Sequence, residues 1–530
     1  MTMLVPKARV HHSPPRFQAS PWHDCHPGKL DLEQRLPPDH LARVIDQAVA
    51  RLDLTGLRAA YHGTGSDAHP PERLLAVVLF EMRRGQHRPA AWHRDAAECE
   101  PVRWLLRGAT VARSCWYAFR DRVGPLLQTL HQQVLRQALD AGLTAATRAA
   151  VDGTLVAANA SRHKLLNAEA LQRRAQQLAA ALADDAAAAA LTQAPSVTPR
   201  PAAAAADTAA VPPPPAWLAT TAAGRRQQQR RLQRGQERLA ELHGRNNHKW
   251  PSKRKAAAAV VVSLGDPEAV VARDKEKVYR PLYNMQIVDD LDSPLILGYD
   301  VLAQQNDAGV LAALLARFCD QAGHALQELL SDGSYAGGAD LAAAQAAAVT
   351  VYAPVPGDGV KTPKKIPKKD FAWRAAEQTY VCPQGHRLVL EESWQEKRSD
   401  GAVQVWRYRC PAGHCRGCPL QPRCTTTPDK GRAVTRQEHD DLIDALRARM
   451  AAPAAQALYK LRKQTVELVN ADLKQHRQLR RFSGRGLARV RAEVGLLVLA
   501  HNLLTLVNEE HKAKAQQDRA AAASSQSKGT

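Results

Sequence analysis

Two short apolar runs in this chain each stop on an aspartate followed by a glycine. Ala149-Ala150-Val151 ends at Asp152-Gly153, and Leu326 to Leu330 ends at Ser331-Asp332-Gly333. A carboxylate at the end of a buried strand is costly unless something pairs with it, and a metal ion is one such partner. The first run also has a plainer explanation. Asp-Gly is a strong turn dipeptide, and Thr154-Leu155-Val156-Ala157 reads as a second strand returning from a hairpin. A β-β-α-β pattern separates the two aspartates: two strands around an Asp/Ser/Pro turn between Tyr283 and Ala303, a helix from Asp307 to Gln321, and the strand Leu326 to Leu330. A parallel or mixed sheet brings such strand ends together at one edge. The pattern therefore predicts an α/β core with Asp152 and Asp332 as neighbours, followed by a helix and a strand from Val349 to Ala353.

The rest of the 530 residues sorts by texture. Residues 1–30, rich in Pro and His, read as a disordered tail. Residues 31–142 carry apolar residues at helical spacing, as in LPPDHLARVIDQAVARL and PPERLLAVVLFEMRRG, and predict an all-α N-terminal domain. The core then occupies 145–355, with 165–255 as an insertion. That insertion holds a helix from Leu165 to Leu182, an Ala/Pro-rich linker from Ala179 to Pro215 and a basic helix from Gly224 to Leu242. Residues 356–434 are loop-rich with Lys runs and cysteines. Residues 435–510 are helical again, with Ala452 to Phe482 as one long amphipathic basic helix, and 511–530 read as a second disordered tail. Formal net charge is +21, which suggests a polyanionic partner, nucleic acid before an anionic membrane. Gly495 to Val507 is apolar but too short to span a bilayer, and it contains His501 and Asn502. The opening MTMLVPKARVHHSPPRF lacks the apolar core of a signal peptide.

A third carboxylate would complete a cation site with the two aspartates, and Glu467 is the best candidate. At ~100° per residue, Glu467, Asn470 and Lys474 fall within about 60° of one another on a helix, with Tyr459 and Arg462 at neighbouring angles. The combination resembles the DDE transposases of bacterial insertion sequences, over about Leu32 to Asn508 with the Ala/Pro segment unmatched. AVDGTLVAANAS is similar to the strand-DGT-strand element bearing that family's first aspartate, and LLSDGSY to the element bearing its second. Tyr459, Arg462, Glu467 and Lys474 are similar to its Y-x2-R…E-x6-K helix, with a gap from Arg462 to Glu467 one residue longer than in some relatives. DPEA (Asp266 to Ala269), YNMQ (Tyr283 to Gln286) and AEVGLLVLAHNLLTL are further family-like elements.

The resemblance implies an RNase H-like mixed sheet with flanking helices. It implies catalytic Asp152, Asp332 and Glu467 holding two Mg²⁺ or Mn²⁺ ions, with Tyr459, Arg462, Lys474, Arg480 and Arg481 as auxiliary or DNA-contacting residues. Two such ions, about 3.5–4 Å apart, serve in-line displacement at phosphorus. The implied activity is binding of terminal inverted repeats, cleavage at the element's ends and strand transfer into target DNA, by at least a homodimer. A nuclease without strand transfer and a non-catalytic DNA-binding derivative are the rivals.

Nine cysteines complete the picture. Cys25, Cys99, Cys115 and Cys319 are scattered, and five lie between Cys382 and Cys424. Clustering of this kind favours a metal site in a reducing compartment over a disulfide framework, with the bacterial cytoplasm as the expected location. Cys415-x2-Cys418 has knuckle spacing, and Cys382 with Cys424 would complete four thiolates around a structural Zn²⁺. Cys410, His386 and His414 are possible substitutes.

Overall fold

The structure is a computed structural model that describes residues 14–63, 65–193, 214–249, 251–355, 358, 365–398 and 401–526. The chain forms two compact units, Met1–Ala157 with Tyr283–Thr530, and Ala158–Leu282.

The first unit opens with helices α1 (Pro27–Arg35), α2 (Leu41–Ala50), α3 (Thr55–Ala59), α4 (Pro71–Arg83), α5 (Pro89–Glu98), α6 (Glu100–Leu105), α7 (Arg113–Val123) and α8 (Leu127–Asp140). Prolines at the first turns of α1, α4, α5 and α6 occupy positions where a missing N–H costs nothing. From Leu74 to Met82, α4 is buried all round. The tail reading fails from residue 16 onward, because Phe17 bridges to Ala68 with Gln18 N donating to Ala68 O at 2.8 Å. Residues 1–13 lie outside the described ones.

The strand carrying Asp152, β1, runs unbroken from Arg148 to Ala157. The hairpin expected at Asp152-Gly153 does not form, so Gly153 needs another reason. Next comes the second unit: β2 (Leu165–Leu166), α9 (Ala168–Gln193), α10 (Ala222–Asn247), β3 (Val262–Ser263), β4 (Val270–Arg273) and the start of β5 (Tyr279–Asp290). It is wider than the predicted 165–255 insertion. Its core is Leu166, Leu171, Leu178, Leu232, Leu239, Val260 and Val262. Helix α9 continues to Gln193 through residues read as linker, since alanine is the best helix former; residues 194–213 of that linker lie outside the described ones.

In the first unit β5 is followed by β6 (Ile296–Leu302), α11 (Leu311–Ala322), β7 (Glu328–Leu330), α12 (Gly338–Ala346) and β8 (Thr350–Tyr352). The strand order is β6-β5-β1-β7-β8. Strands β5 and β6 pair antiparallel, whereas β1 with β7 and β7 with β8 pair parallel. The stretch read as loop-rich is largely sheet. It forms a five-stranded antiparallel layer in the order β13-β12-β11-β10-β9, from β9 (Ala372–Arg374), β10 (Thr379–Val381), β11 (Arg387–Arg398), β12 (Gly401–Arg409) and β13 (Ala433–Gln437). Charged residues hid these strands; they pair across the hairpin, Arg409 Nε to Glu391 Oε1 at 2.6 Å and Arg407 to Glu392. Two short helices follow β12, α13 (Ala412–Cys415) and α14 (Gln421–Cys424).

The predicted long basic helix is broken into α15 (Asp440–Ala451), α16 (Pro453–Lys460), a 3-10 turn Leu461–Gln464 and α17 (Val466–Gln475). Pro453 restarts the helix at its first position, and Thr465 at φ −116°, ψ −100° interrupts it again. The last helix, α18 (Leu487–Gln526), continues through residues read as a tail. By length and composition, Leu487–Arg519 is long and apolar enough to cross a membrane, contrary to the shorter estimate, but 83% of its apolar window is buried in the fold. It packs on α8, α4, α2 and β6.

Candidate active site

Parallel register alone brings the two aspartates together. Ala150 pairs with Leu330 across β1 and β7, so Asp152, midway along β1, and Asp332, two residues past the last residue of β7, lie side by side. Ala149, Ala150 and Val151 are fully buried and fix Asp152 at the rim of the core. Asp332 caps the 3-10 turn Gly333–Tyr335, its Oδ1 accepting from Ser334 N at 2.7 Å.

Glu467 arrives from the far end of the chain on the first turn of α17, where the helix dipole favours a negative charge. Arg462 joins it to the aspartate: Nη2 lies 2.6 Å from Asp152 Oδ1 and Nη1 lies 3.0 Å from Glu467 Oε1. Thr465 breaks the helix between Arg462 and Glu467, and Arg462 contacts both Asp152 and Glu467. Asn470 Nδ2 donates to Asp152 Oδ2 at 3.0 Å, and Lys474 reaches Thr154 and, at 3.2 Å, Leu155 O. One face of α17 thus lies along β1, as the angular reading of Glu467, Asn470 and Lys474 anticipates.

Burial raises the Asp152 carboxyl above its ordinary range, the charges of Asp332 and Asp307 raise it further, and Arg462 and Asn470 oppose them. Tyr459 is raised chiefly by burial, opposed by Arg462 and reinforced by Asp332 and Glu467. Tyr459, Arg462, Asp152, Asp332 and Glu467 therefore form one electrostatic group. Arg480 and Arg481 stand apart from it. Their backbone lies beside the end of β1, Ala157 bridging to Arg481, with exposed side chains and Arg480 Nη2 on Gln475 Oε1 at 2.6 Å.

Sequence reasoning missed Asp307. Its Oδ1 accepts from Asn284 Nδ2 and Gln286 Nε2, both at 2.7 Å. The signal was present in YNMQ, where two amide residues two apart share one face of a buried stretch of β5.

The five clustered cysteines line one small cavity together with His386 and His414, whose rings stack at 4.2 Å. Cys410 and Cys415 are buried, and Cys415 Sγ accepts from Arg432 N at 3.4 Å. Burial and Cys415 push the Cys410 thiol up to about 12. None of the nine cysteines forms a disulfide. Among the described residues, no group of three or more His, Cys, Asp or Glu side chains is drawn together closely enough to hold a metal ion, either here or at the carboxylates.

No curated protein and no solved structure matches the chain. A family model described as "Transposase DDE domain" matches residues 381–507, a stretch that takes in the five clustered cysteines, Glu467 and the apolar half of α18. Over that stretch the chain is similar to the DDE domain of transposases, enzymes that act on DNA and generally use divalent metal ions.

Proposed function

We propose that the chain is an insertion-sequence transposase with an RNase H-like core, which binds the terminal inverted repeats of its element, cleaves at the ends and joins them to target DNA. The observation that carries this reading is Arg462 paired with both Asp152 and Glu467, residues 315 apart in sequence, with Asp332 on the strand beside Asp152. The strand order supports it: β1 lies between the antiparallel pair β5–β6 on one side and the parallel strands β7 and β8 on the other.

The donors suit a hard cation in kind, since all are carboxylate oxygens, and Mg²⁺ and Mn²⁺ prefer such ligands. Asp152, Asp332 and Glu467 would hold it. When bound, such ions supply activation of a nucleophilic oxygen and neutralisation of the leaving oxygen. The chain's own residues supply the rest. Arg462 holds Asp152 and Glu467 in place. Lys474, anchored on Thr154 and Leu155 O, sets a positive charge beside β1 where a phosphate of the substrate would lie. Tyr459 lies beside Arg462. The exposed Arg480 and Arg481 would follow the DNA backbone away from it.

The thiol cluster is read as a structural Zn²⁺ site with Cys382, Cys415, Cys418 and Cys424 as ligands and Cys410 packed behind Cys415. Unpaired thiols throughout accord with a cytoplasmic protein. The test of function is a metal-dependent assay on DNA bearing the element's own ends, scored separately for cleavage and for joining. Cleavage without joining would move the reading to a nuclease.

A further inference from the structure

Between Asp472 and Glu493 the chain carries six arginines, one lysine and no acidic residue. Arg477, Arg489 and Arg491 pair with Asp472, Asp121 and Asp300. Arg480, Arg481 and Arg485 are exposed on the loop that joins α17, which bears Glu467, to α18. That loop is folded around one carboxylate. Glu493, near the start of α18, is 1% exposed. Its Oε2 accepts from Ser483 N at 2.9 Å, Ser483 Oγ at 2.8 Å and Gly484 N at 3.1 Å. Its Oε1 lies 3.1 Å from Nδ1 of His87, which is also buried. A carboxylate this far from water needs hydrogen bonds to compensate its burial, so the loop's conformation and the buried acid depend on each other.

His87 belongs to the turn between α4 and α5, and that turn grips the same loop. The ring's Nε2 lies 2.6 Å from Arg477 O, the His87 carbonyl accepts from Ser483 Oγ at 2.9 Å, and Arg83 O accepts from Arg477 Nη1 at 2.8 Å. Gly85, at φ +76°, lets the turn close on the loop: a Cβ there would stand 3.2 Å from Gln478 Cγ and 3.4 Å from Arg477 O. The loop is also strapped to the end of β1, Phe482 N donating to Ala157 O at 2.8 Å. Ala157 lies five residues beyond Asp152, ~17 Å along a strand and a span of about five base pairs of duplex.

We propose that Glu493 and His87 are positioning residues that hold residues 477–486 as a docking edge for the DNA sugar-phosphate backbone, with Arg480, Arg481 and Arg485 as its phosphate contacts. The proposal rests on the transposase reading for DNA as the partner. A loop already fixed in place meets phosphates without the cost of ordering it on binding. It also gives the glutamate of AEVG a task.

The test is binding of a short mixed-sequence DNA duplex to the full-length chain, by fluorescence anisotropy over a salt series, with thermal melting to confirm the fold. Arg480→Ala, Arg481→Ala and Arg485→Ala together should flatten the log–log slope by about 2.7, from ~0.9 per phosphate. Glu493→Gln removes a negative charge, which by charge alone would strengthen binding. It should instead weaken binding and flatten the slope by about 1 or more, whereas Glu98→Gln, an equal change of charge at an exposed position of α5, should not. Effects that act through the same contacts are not additive, so Glu493→Gln should change nothing further in the triple-alanine chain. Ser483→Ala removes the hydroxyl that joins His87 O to Glu493 and alters no charge; it should act in the same direction, and it decides the matter should Glu493→Gln fold poorly. A wild-type slope in the folded positioning variant, or an effect undiminished in the triple-alanine chain, would overturn the role of Glu493 and His87 and leave the proposed function standing. A wild-type slope in the triple-alanine chain would overturn the docking edge. No duplex binding by wild type would strike the proposed function as well.

Discussion

Arg462 shows how much one side chain settles. Its guanidinium is 10% exposed and compensates an aspartate that is 20% exposed, so removing it leaves Asp152 charged in a poorly hydrated place. Loss of one partner of such a pair is costly, and Arg462→Ala should destabilise the chain by about 2–3 kcal/mol at pH 7. The sign with pH follows from the Asp152 carboxyl, already raised in the fold. Without Arg462 it rises further, and protonation then removes the unpaired charge. The difference between wild type and variant should therefore shrink as pH falls from 7 toward 4.5, measured by urea denaturation at each pH. A difference that grows on acidification would show that Arg462 stabilises through something other than Asp152. Asp152, Asp332 and Glu467 stood out in the sequence because apolar runs that stop on Asp-Gly and a shared helix face leave a pattern. Gly153 was misread, because a turn glycine and a glycine admitting a neighbouring carboxylate look alike until Asp307, 154 positions away, is placed 2.0 Å from where a Cβ at Gly153 would stand.

Among the elements, α4 carries a buried acid whose titration can be followed. Glu81 is fully buried, accepts from Arg84 Nη1 at 2.8 Å and has Oε2 without a partner. Burial raises its carboxyl from 4.5 to about 7, with Asp95 adding and Arg84 opposing. Between those values the folded chain keeps a proton that the unfolded chain has released, so stability falls as pH rises through that window. Glu81→Gln should remove that fall, which amounts to about 3 kcal/mol, and denaturation at pH 5 and pH 8 would show it; an unchanged pH profile in the variant would exclude Glu81 as its source. Helix α18 explains the polar pair in AHNLL. Asn502 Oδ1 accepts from Ile296 N at 2.9 Å and its Nδ2 donates to Ile296 O at 2.7 Å, so it completes the backbone of β6. The apolar run gave the helix, but its partner strand was not readable. The cysteine layer was the least legible element, since its strands carry charges on exposed faces. Its zinc reading predicts one zinc per chain by elemental analysis of the purified protein, lost in Cys424→Ser and kept in Cys319→Ser; no zinc, with all thiols freely titratable, would remove it.

The whole molecule is strongly basic, and that charge has a place to act. In the second unit, Arg230 and Arg234 are exposed on the side of α10 opposite the buried Leu232 and Leu239. If both meet phosphates, Arg230→Ala with Arg234→Ala should flatten the salt dependence of duplex binding by about 1.8 in log–log slope, from ~0.9 per phosphate. An unchanged slope would return them to a solvated face. Net charge could announce a polyanion but not its position, because position depends on which helix face is buried. The proposed function stands or falls with Asp152, Asp332 and Glu467 acting as one catalytic site on a DNA-binding protein. Its most direct test compares wild type with Asp152→Asn on DNA bearing the element's ends, cleavage beside gel-shift titration, in Mg²⁺ and in Mn²⁺. The variant is expected to bind the ends as tightly as wild type and to cut at least 10³-fold more slowly, on the order of 4 kcal/mol in the barrier. Cleavage at the wild-type rate by Asp152→Asn would contradict it.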